Sequence, residues 1–276
     1  MLRGYATVIY LFLYAPIALI VLFSFNSGNN ASDFQHFAVL WYGRAANNTF
    51  VIEALENSAI VASTSAALAT IMGTMAALAL QNVRGPLRVA FDGLTYVSIM
   101  VPGIVIGIST LIALVTVFGF LNPALLAVWP GDPAHAPQLS MGYGSIIAAH
   151  TLFSMALVIV IVRARIAGMD RSLIEASMDL YADPWATFRQ VTLPQLMPAI
   201  VAGFLLSFTF SLDDFVIAFF VAGSVTTLPI YVFSSIRRGV TPEINVIGTT
   251  VMLFSLTVLV GAQFLLRRGQ KVAAKR

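Results

Sequence analysis

Residues Leu173–Pro194 read L-I-E-A-S-M-D-L-Y-A-D-P-W-A-T-F-R-Q-V-T-L-P. This is the most charge-bearing segment between two membrane-length apolar runs, in a chain that is only 10% charged. Glu175, Asp179, Asp183 and Arg189 lie within it, and Arg171 just before it. Apolar residues still recur at helical spacing: Ile174 with Met178, and Trp185 with Phe188. Side chains three or four apart share one face of a helix, so the pattern predicts two short amphipathic helices outside a bilayer, with a face to offer a partner. The alternative is a solvated loop that packs on its own helices.

On either side the chain is apolar. Its 276 residues are 59% hydrophobic with mean hydropathy +0.89. A soluble domain sits near half apolar and about a quarter charged, so a membrane protein is expected. There is no cysteine, which excludes disulfides, thiol catalysis and cysteine-bound zinc. The net charge of +3 is too small for a nucleic-acid surface once the loops are assigned. Six runs reach spanning length: Tyr5–Phe25, Asn57–Leu80, Asp92–Gly119, Gly144–Arg163, Ala199–Ala222 and Ile244–Leu266. Each approaches or exceeds the roughly 20 residues that cross a hydrocarbon core. The first follows Arg3 without a clear small-residue cleavage site, which fits a retained span rather than a signal peptide.

Orientation follows from the cations. With the N-terminus inside, the inner segments hold Arg3, Arg84, Arg88, Arg163, Arg165, Arg171, Arg189, Arg267, Arg268, Lys271, Lys275 and Arg276, twelve of the 15 Lys and Arg residues. Arg44, Arg237 and Arg238 fall outside. The bias favours both termini, and the Glu175 segment, on the cytoplasmic side.

Within the spans, Ser58, Ser63, Thr64, Ser65, Thr70, Gly73 and Thr74 make the second a close-packing helix. Pro102 should kink or open the third. Gly103 and Gly107 there serve either helix packing or a broken helix lining a solute path. Residues 120–143, with Pro123, Pro130, Pro133 and Pro137, read as a structured turn region. His150 reads as a hydrogen-bonded packing residue, since no acid stands near it in sequence. Asp213 and Asp214 are the only acids well inside an apolar run. A charge at membrane depth costs about 2.5–3.5 kcal/mol, so such residues face a cavity or a partner. Ser207, Ser211 and Asp214 share one helical face, whereas Asp213 points about 100° away, toward Phe210 and Ile217. The pair is either an anchor between helices, with Arg237 or Arg238 as partner, or part of a solute site. The polar segment Asn26–Phe50, with Phe34, Phe37, Trp41 and Tyr42, reads as an interfacial aromatic belt.

The Leu173–Pro194 segment also resembles a known motif: the coupling loop of the inner-membrane subunits of binding-protein-dependent ATP-driven importers. That loop runs Glu-Ala-Ala, three residues, Gly, then nine residues to an aliphatic-x-Leu-Pro ending. Here the matching residues are Glu175-Ala176-Ser177, Asp179-Leu180, Ala182, Pro184-Trp185, Phe188 and Val191-Thr192-Leu193-Pro194. Tyr181 stands where the family has glycine, which would permit a positive-φ turn. Asp183-Pro184 could supply the helix stop and restart instead. Trp41-Tyr42-Gly43-Arg44, Ser211-Leu212-Asp213-Asp214-Phe215-Val216-Ile217 and the segment Thr227–Asn245 resemble the polyamine branch. Polyamine-specific members commonly carry Asp after the proline of the third helix, where this chain has Gly103.

The resemblance implies an all-α, polytopic fold of six transmembrane helices, the type I ABC importer permease (MetI-like) fold. It implies one permease domain over residues 1–276, with a cytoplasmic coupling loop at 164–197, in a bacterial inner membrane. Glu175, Ala176, Ser177, Asp179, Leu180, Trp185 and Phe188 would couple to the ATPase. Asp213, Asp214, Ser211, Trp41 and Gly103 would line the substrate pathway. The implied partners are a cytoplasmic ATP-binding subunit dimer, a second homologous permease subunit, a periplasmic solute-binding protein and membrane lipid, with no nucleic acid. The chain itself is no enzyme and holds no cofactor or metal. Its only lysines, Lys271 and Lys275, follow no glycine, so no phosphate-binding loop is present and ATP is bound by the partner. The solute would be putrescine, spermidine or a related small charged organic compound, with an opine-like or aminopolycarboxylate compound as the alternative. Two rival classes remain: an ion-coupled secondary transporter using Asp213 and Asp214, and a membrane scaffold. The chain shows no internal repeat, which disfavours an inverted-repeat carrier.

Overall fold

The computed structural model describes residues 2–30, 33–132 and 135–273. Pro133, Lys275 and Arg276 lie outside the described residues. In chain order the helices are α1 Leu2–Ser24, α2 Leu40–Ala46, α3 Thr49–Ala79, α4 Pro86–Met100, α5 Gly103–Val128, α6 Tyr143–Ala167, α7 Ser172–Asp179, α8 Pro184–Thr187, α9 Leu193–Asp213, α10 Val216–Val221, α11 Leu228–Arg238 and α12 Pro242–Ala273. A single isolated bridge, Asn26 with Phe37, is the one piece of β pairing among the described residues.

Among those residues, five helical stretches are long and apolar enough to cross a membrane: Gly4–Ser24, Thr49–Ala79, Gly103–Val128, Tyr143–Ala167 and Pro184–Asp213. The apolar part of α12, Pro242–Val258, is shorter. Two of the expected spans are not single helices. The run expected over 92–119 is divided at Val101 and Pro102, both with extended backbone (ψ 131° and 137°). Proline cannot donate an N–H and pushes the residue before it out of the helical region. Downstream, α5 continues to Val128 with Pro123 inside it, so the loop expected from residue 120 begins only at Trp129. The run expected over 199–222 is likewise broken, between α9 and α10 at Asp214 and Phe215.

The chain forms two compact units, Met1–Glu56 with Leu228–Arg276, and Asn57–Thr227. In the first, α1 and α2 pack on α12. Trp41, Ala45 and Val246 form one core cluster, and Val51, Ala54, Leu228 and Ile247 another. Asn26 is fully buried and organises the link after α1. Its Oδ1 accepts from the N–H groups of Gly28 (3.2 Å) and Gln35 (3.0 Å), and its Nδ2 donates to the carbonyls of Asn30 (3.1 Å) and Asp33 (2.7 Å). All four of its hydrogen-bonding positions are thereby used. The exposed face of α1, with Tyr5, Val8, Leu11 and Phe12, is a surface suited to acyl chains.

In the second unit, α6 packs along α9, with α4 on α6 and α5 on α10. Ala77, Val158, Val162 and Leu196 form its core. Gly73 lets α3 approach α6: a Cβ there would stand 2.8 Å from the Val158 Cβ. At the other end of α6, Arg163 pairs with Asp92 of α4, and the Arg165 Nε donates to the Gln195 carbonyl of α9 (2.8 Å).

Candidate functional site

Two places carry the expected site residues: the α7–α8 loop and the α9–α10 break. The loop begins at Asp170, whose Oδ1 accepts from the Ser172 N–H (2.9 Å) at the start of α7. Hydrogen bonds from the Ser172 hydroxyl first, and its backbone N–H second, hold the Asp170 carboxyl below its ordinary range. At the end of α7 the Tyr181 N–H donates to the Met178 carbonyl (2.9 Å) and the Ala182 N–H to the Ser177 carbonyl (3.1 Å). That pair of reversed bonds is the Schellman ending, which needs a left-handed residue. Tyr181 supplies it at φ 57°, the one non-glycine residue with positive φ among those described. The turn that a glycine at this position would permit is thus made by tyrosine. Asp183-Pro184 acts as well: Pro184 opens α8, and Asp183 Oδ1 accepts from the Trp185 (2.9 Å) and Ala186 (3.0 Å) N–H groups.

Ser177 Oγ and Thr187 Oγ1, 2.9 Å apart, tie the two short helices together. Trp185 stacks on Phe188 with ring centroids 5.6 Å apart. Ile174 and Phe188 are half-buried, facing inward. The outward apolar surface is Met178, Trp185 (67% exposed), Leu173, Leu180 and Tyr181 (98% exposed). Glu175, Ala176 and Asp179 are exposed beside it. Residues Phe188–Thr192 form a π-helical turn that runs directly into α9. Pro194 has no N–H to give the Gln190 carbonyl, and a widened turn just upstream is a common accommodation.

At the other end of α9, Asp213 is the last helical residue and is exposed. Asp214 has left the helix and turns inward; its Oδ2 accepts from the Ala218 N–H (2.9 Å), in the first turn of α10. The same oxygen stands 3.2 Å from Nε2 of His150, whose side chain is 2% exposed. The ring lies off the line of a hydrogen bond there, so the contact is electrostatic. On its other side, His150 Nδ1 is 2.7 Å from Ser211 Oγ, which is 2.9 Å from Ser65 Oγ of α3. With a carboxylate at Asp214, Nε2 carries the ring proton and Nδ1 accepts from the Ser211 hydroxyl. Ser211 then accepts from the Ser65 hydroxyl, which also reaches the Ala62 carbonyl at 3.3 Å. Ser211 is buried against these partners, so the row fixes orientation and offers no nucleophile to a substrate.

The structure therefore brings together Ser211, Asp214 and a histidine that sequence spacing left alone, and it sets Asp213 apart from them. Gly103 opens α5 close by: its Cβ position lies 3.8 Å from Val216, so the α4–α5 and α9–α10 breaks are neighbours. Gly107, one turn on, lets α5 meet α10, since a Cβ there would stand 2.7 Å from the Phe220 ring. Trp41 is a core residue of the other unit. It is 6% exposed, its Nε1 donates to the Gly28 carbonyl (3.0 Å), and the Arg44 guanidinium lies 4.5 Å from its ring centre. Sequence reasoning also passed over Asn57, which accepts from the Tyr143 hydroxyl and donates to the Thr226 carbonyl (2.9 Å), and Gly223, at φ 57° against the Met141 carbonyl. Buried polar residues inside apolar runs were the available signal.

Residues 69–271 match the family of binding-protein-dependent transport system inner membrane components. The chain belongs to this family. It is 36% identical to the spermidine/putrescine transport system permease protein PotC of Haemophilus influenzae, over 97% of this chain and 96% of that one. It is 38% identical to the putrescine transport system permease protein PotI of Escherichia coli, over 94% and 88%. Among solved structures, a bacterial ABC transporter that imports the acidic polysaccharide alginate superposes with TM-score 0.72 at 16% identity, covering 95% of this chain and 93% of that one. The MetNI methionine ABC transporter superposes with TM-score 0.60 at 14% identity, covering 79% and 95%. The fold is that of an ABC importer permease, all-helical and polytopic. The family member is a multi-pass inner-membrane component of a binding-protein-dependent transport system, not an enzyme.

Proposed function

We propose that this permease forms half of the translocation pathway of an ATP-driven importer of putrescine, spermidine or a closely related small polycation. The observation that carries this reading is the full-length relationship, 36% identity over 97% of the chain, to a spermidine/putrescine permease. The exposed Asp213 supports it, as a carboxylate at the end of a spanning helix that suits a primary ammonium group. Asp214 and Ser211 stand behind it, Gly103 lies at the neighbouring break, and Trp41 shapes the outer segment of its own unit. The chain acts as one permease domain that crosses the membrane six times, α12 included. Both termini and the 164–197 loop are cytoplasmic, as the distribution of Lys and Arg favours. A second, homologous permease subunit completes the pathway.

The 164–197 loop docks on the ATPase dimer. Trp185, backed by the stacked Phe188 ring, and Leu180 provide apolar anchorage, Glu175 and Asp179 charge-assisted contacts, and Ala176 and Ser177 the close-packed face. Closure of the ATPase then pushes on α9 through the π-helical turn. A second solute reading has one observation in its favour: Gly103 offers no carboxylate where polyamine-specific members commonly have Asp. An opine-like or aminopolycarboxylate solute would need none.

The test is uptake by proteoliposomes holding this chain, its partner permease, the ATPase and the binding protein. ATP-dependent accumulation of putrescine or spermidine is expected, sharply reduced by Asp213→Asn. Accumulation only of an aminopolycarboxylate would select the second reading, and uptake without ATP would overturn both. Glu175→Lys with Trp185→Ala should abolish co-purification with the ATPase.

A further inference from the structure

We infer that His150 is a positioning residue that fastens the break between α9 and α10, so that displacement of α9 is carried into α10. The inference rests on the importer reading above for its functional consequence, and on the geometry alone for the fastening. A break inside an apolar run leaves the last carbonyls of one helix and the first N–H groups of the next without helical partners. In surroundings without water each such group is costly. Asp214 meets part of that need by accepting from the Ala218 N–H (2.9 Å) of α10.

His150 reaches both sides of the break from one ring. Its Nδ1 is 2.7 Å from Ser211, in the last turn of α9, and its Nε2 is 3.2 Å from the Asp214 carboxylate that caps α10. The ring is held in place, because α6 packs along α9 and the His150 side chain is 2% exposed. Among the described residues, other charged groups do not compete for Asp214. The part of α3 from Asn57 to Ala79 and all of α5 carry no charged residue. The α6 cations are engaged elsewhere, Arg163 with Asp92 and Arg165 with the Gln195 carbonyl. Asp213, the remaining acid, points away and is exposed. One imidazole thus makes α9, the link and α10 move as a unit. An Asn or Gln at the same position could hold only one of the two contacts.

The test uses the full complex in lipid nanodiscs. The chain has no cysteine, so spin labels at Leu206→Cys on α9 and Phe219→Cys on α10 report the angle across the break, with partner subunits freed of cysteine. The expected result is one narrow distance with His150 present. His150→Ala, His150→Asn and His150→Gln should each give a broadened distribution. Ser211→Ala, a milder change that removes only the α9 contact, should broaden it less. In proteoliposomes, His150→Ala should lower the maximal putrescine uptake rate about tenfold or more while the half-saturating concentration of loaded binding protein shifts less than about twofold, with ATP hydrolysis continuing. Distances unchanged in His150→Ala would overturn the fastening. A broadened distribution with unchanged uptake would overturn the transmission, and full restoration of both by Gln would show that bridging is unnecessary. Should the unmutated complex take up no putrescine, the solute assignment fails while the distance measurement still decides the fastening.

Discussion

The α7–α8 loop and the α9–α10 break are both interruptions between helices, and the chain handles them in opposite ways. In the loop the freed backbone groups that are paired find their partners a few residues away: the Schellman bonds of Tyr181 and Ala182, and the Asp183 cap of α8. Leu173, Met178, Leu180 and Trp185 are left outside. At the break Asp214 caps the Ala218 N–H of α10 from four residues away, but the side chains that brace Asp214 and Ser211 come from distant parts of the sequence, His150 from α6 and Ser65 from α3, and they are buried. An interruption in water can be completed locally, because solvent takes what the chain does not. One among apolar helices has no solvent for its capping side chains either, and their partners come from elsewhere in the fold.

The sharpest way to break this contrast is to disturb the packed side. Gly223 stands just after α10 at φ 57°, and a Cβ there would meet the Met141 carbonyl oxygen at 2.5 Å. Gly223→Ala should destabilise the unit by about 3 kcal/mol or more, through left-handed strain and a backbone clash together. Thermal unfolding in detergent checks it; an unchanged midpoint would mean that this end is looser than described. Ser211→Ala should cost about 1–3 kcal/mol, since it strands His150 Nδ1 without its partner. The same measurement applies, and a loss no greater than at an exposed serine would deny the row its role.

Effects on the loop should be smaller. Asp183→Ala removes the α8 cap and should cost about 1 kcal/mol, seen as faster amide exchange at Trp185 and Ala186. Tyr181→Gly should go the other way, gaining up to about 1 kcal/mol from relief of the left-handed tyrosine. If ATPase association weakens as the loop stabilises, the exposed ring serves the partner; if association is unchanged, the ring is incidental. The least effect is electrostatic. The Asp170 carboxyl lies below its unfolded value in the fold, so its contribution is present above that ordinary carboxylate pKa and disappears as pH falls through the lower, folded one. Amide exchange at the start of α7 should rise only at acid pH, and Asp170→Asn should remove that dependence.

Much of the loop is legible in the order of its residues. The spacing of Ile174, Met178, Trp185 and Phe188 predicts two short helices, and Asp183-Pro184 predicts the restart, because caps, turns and amphipathic faces are written within a few residues. Even so, the half-buried pair is Ile174 and Phe188, while Leu173 and Tyr181 join the outward face, since tilt against the rest of the unit is not local information. Pro102 announces its break for the same local reason. The break at Asp214 has no such signal: an apolar run with two acids reads as continuous helix until something pulls one acid aside.

The sequence by itself determined the apolar runs, the family motif and the common face of Ser207 and Ser211, since helical periodicity and transfer energy depend on order and composition alone. Only the tertiary structure decided that Asp214 belongs to His150, that Trp41 is core, and that Gly103 stands at a meeting of two broken helices. Those are facts of which helices touch, and contact between residues 64 positions apart, as His150 and Asp214 are, is set by the packing of whole helices.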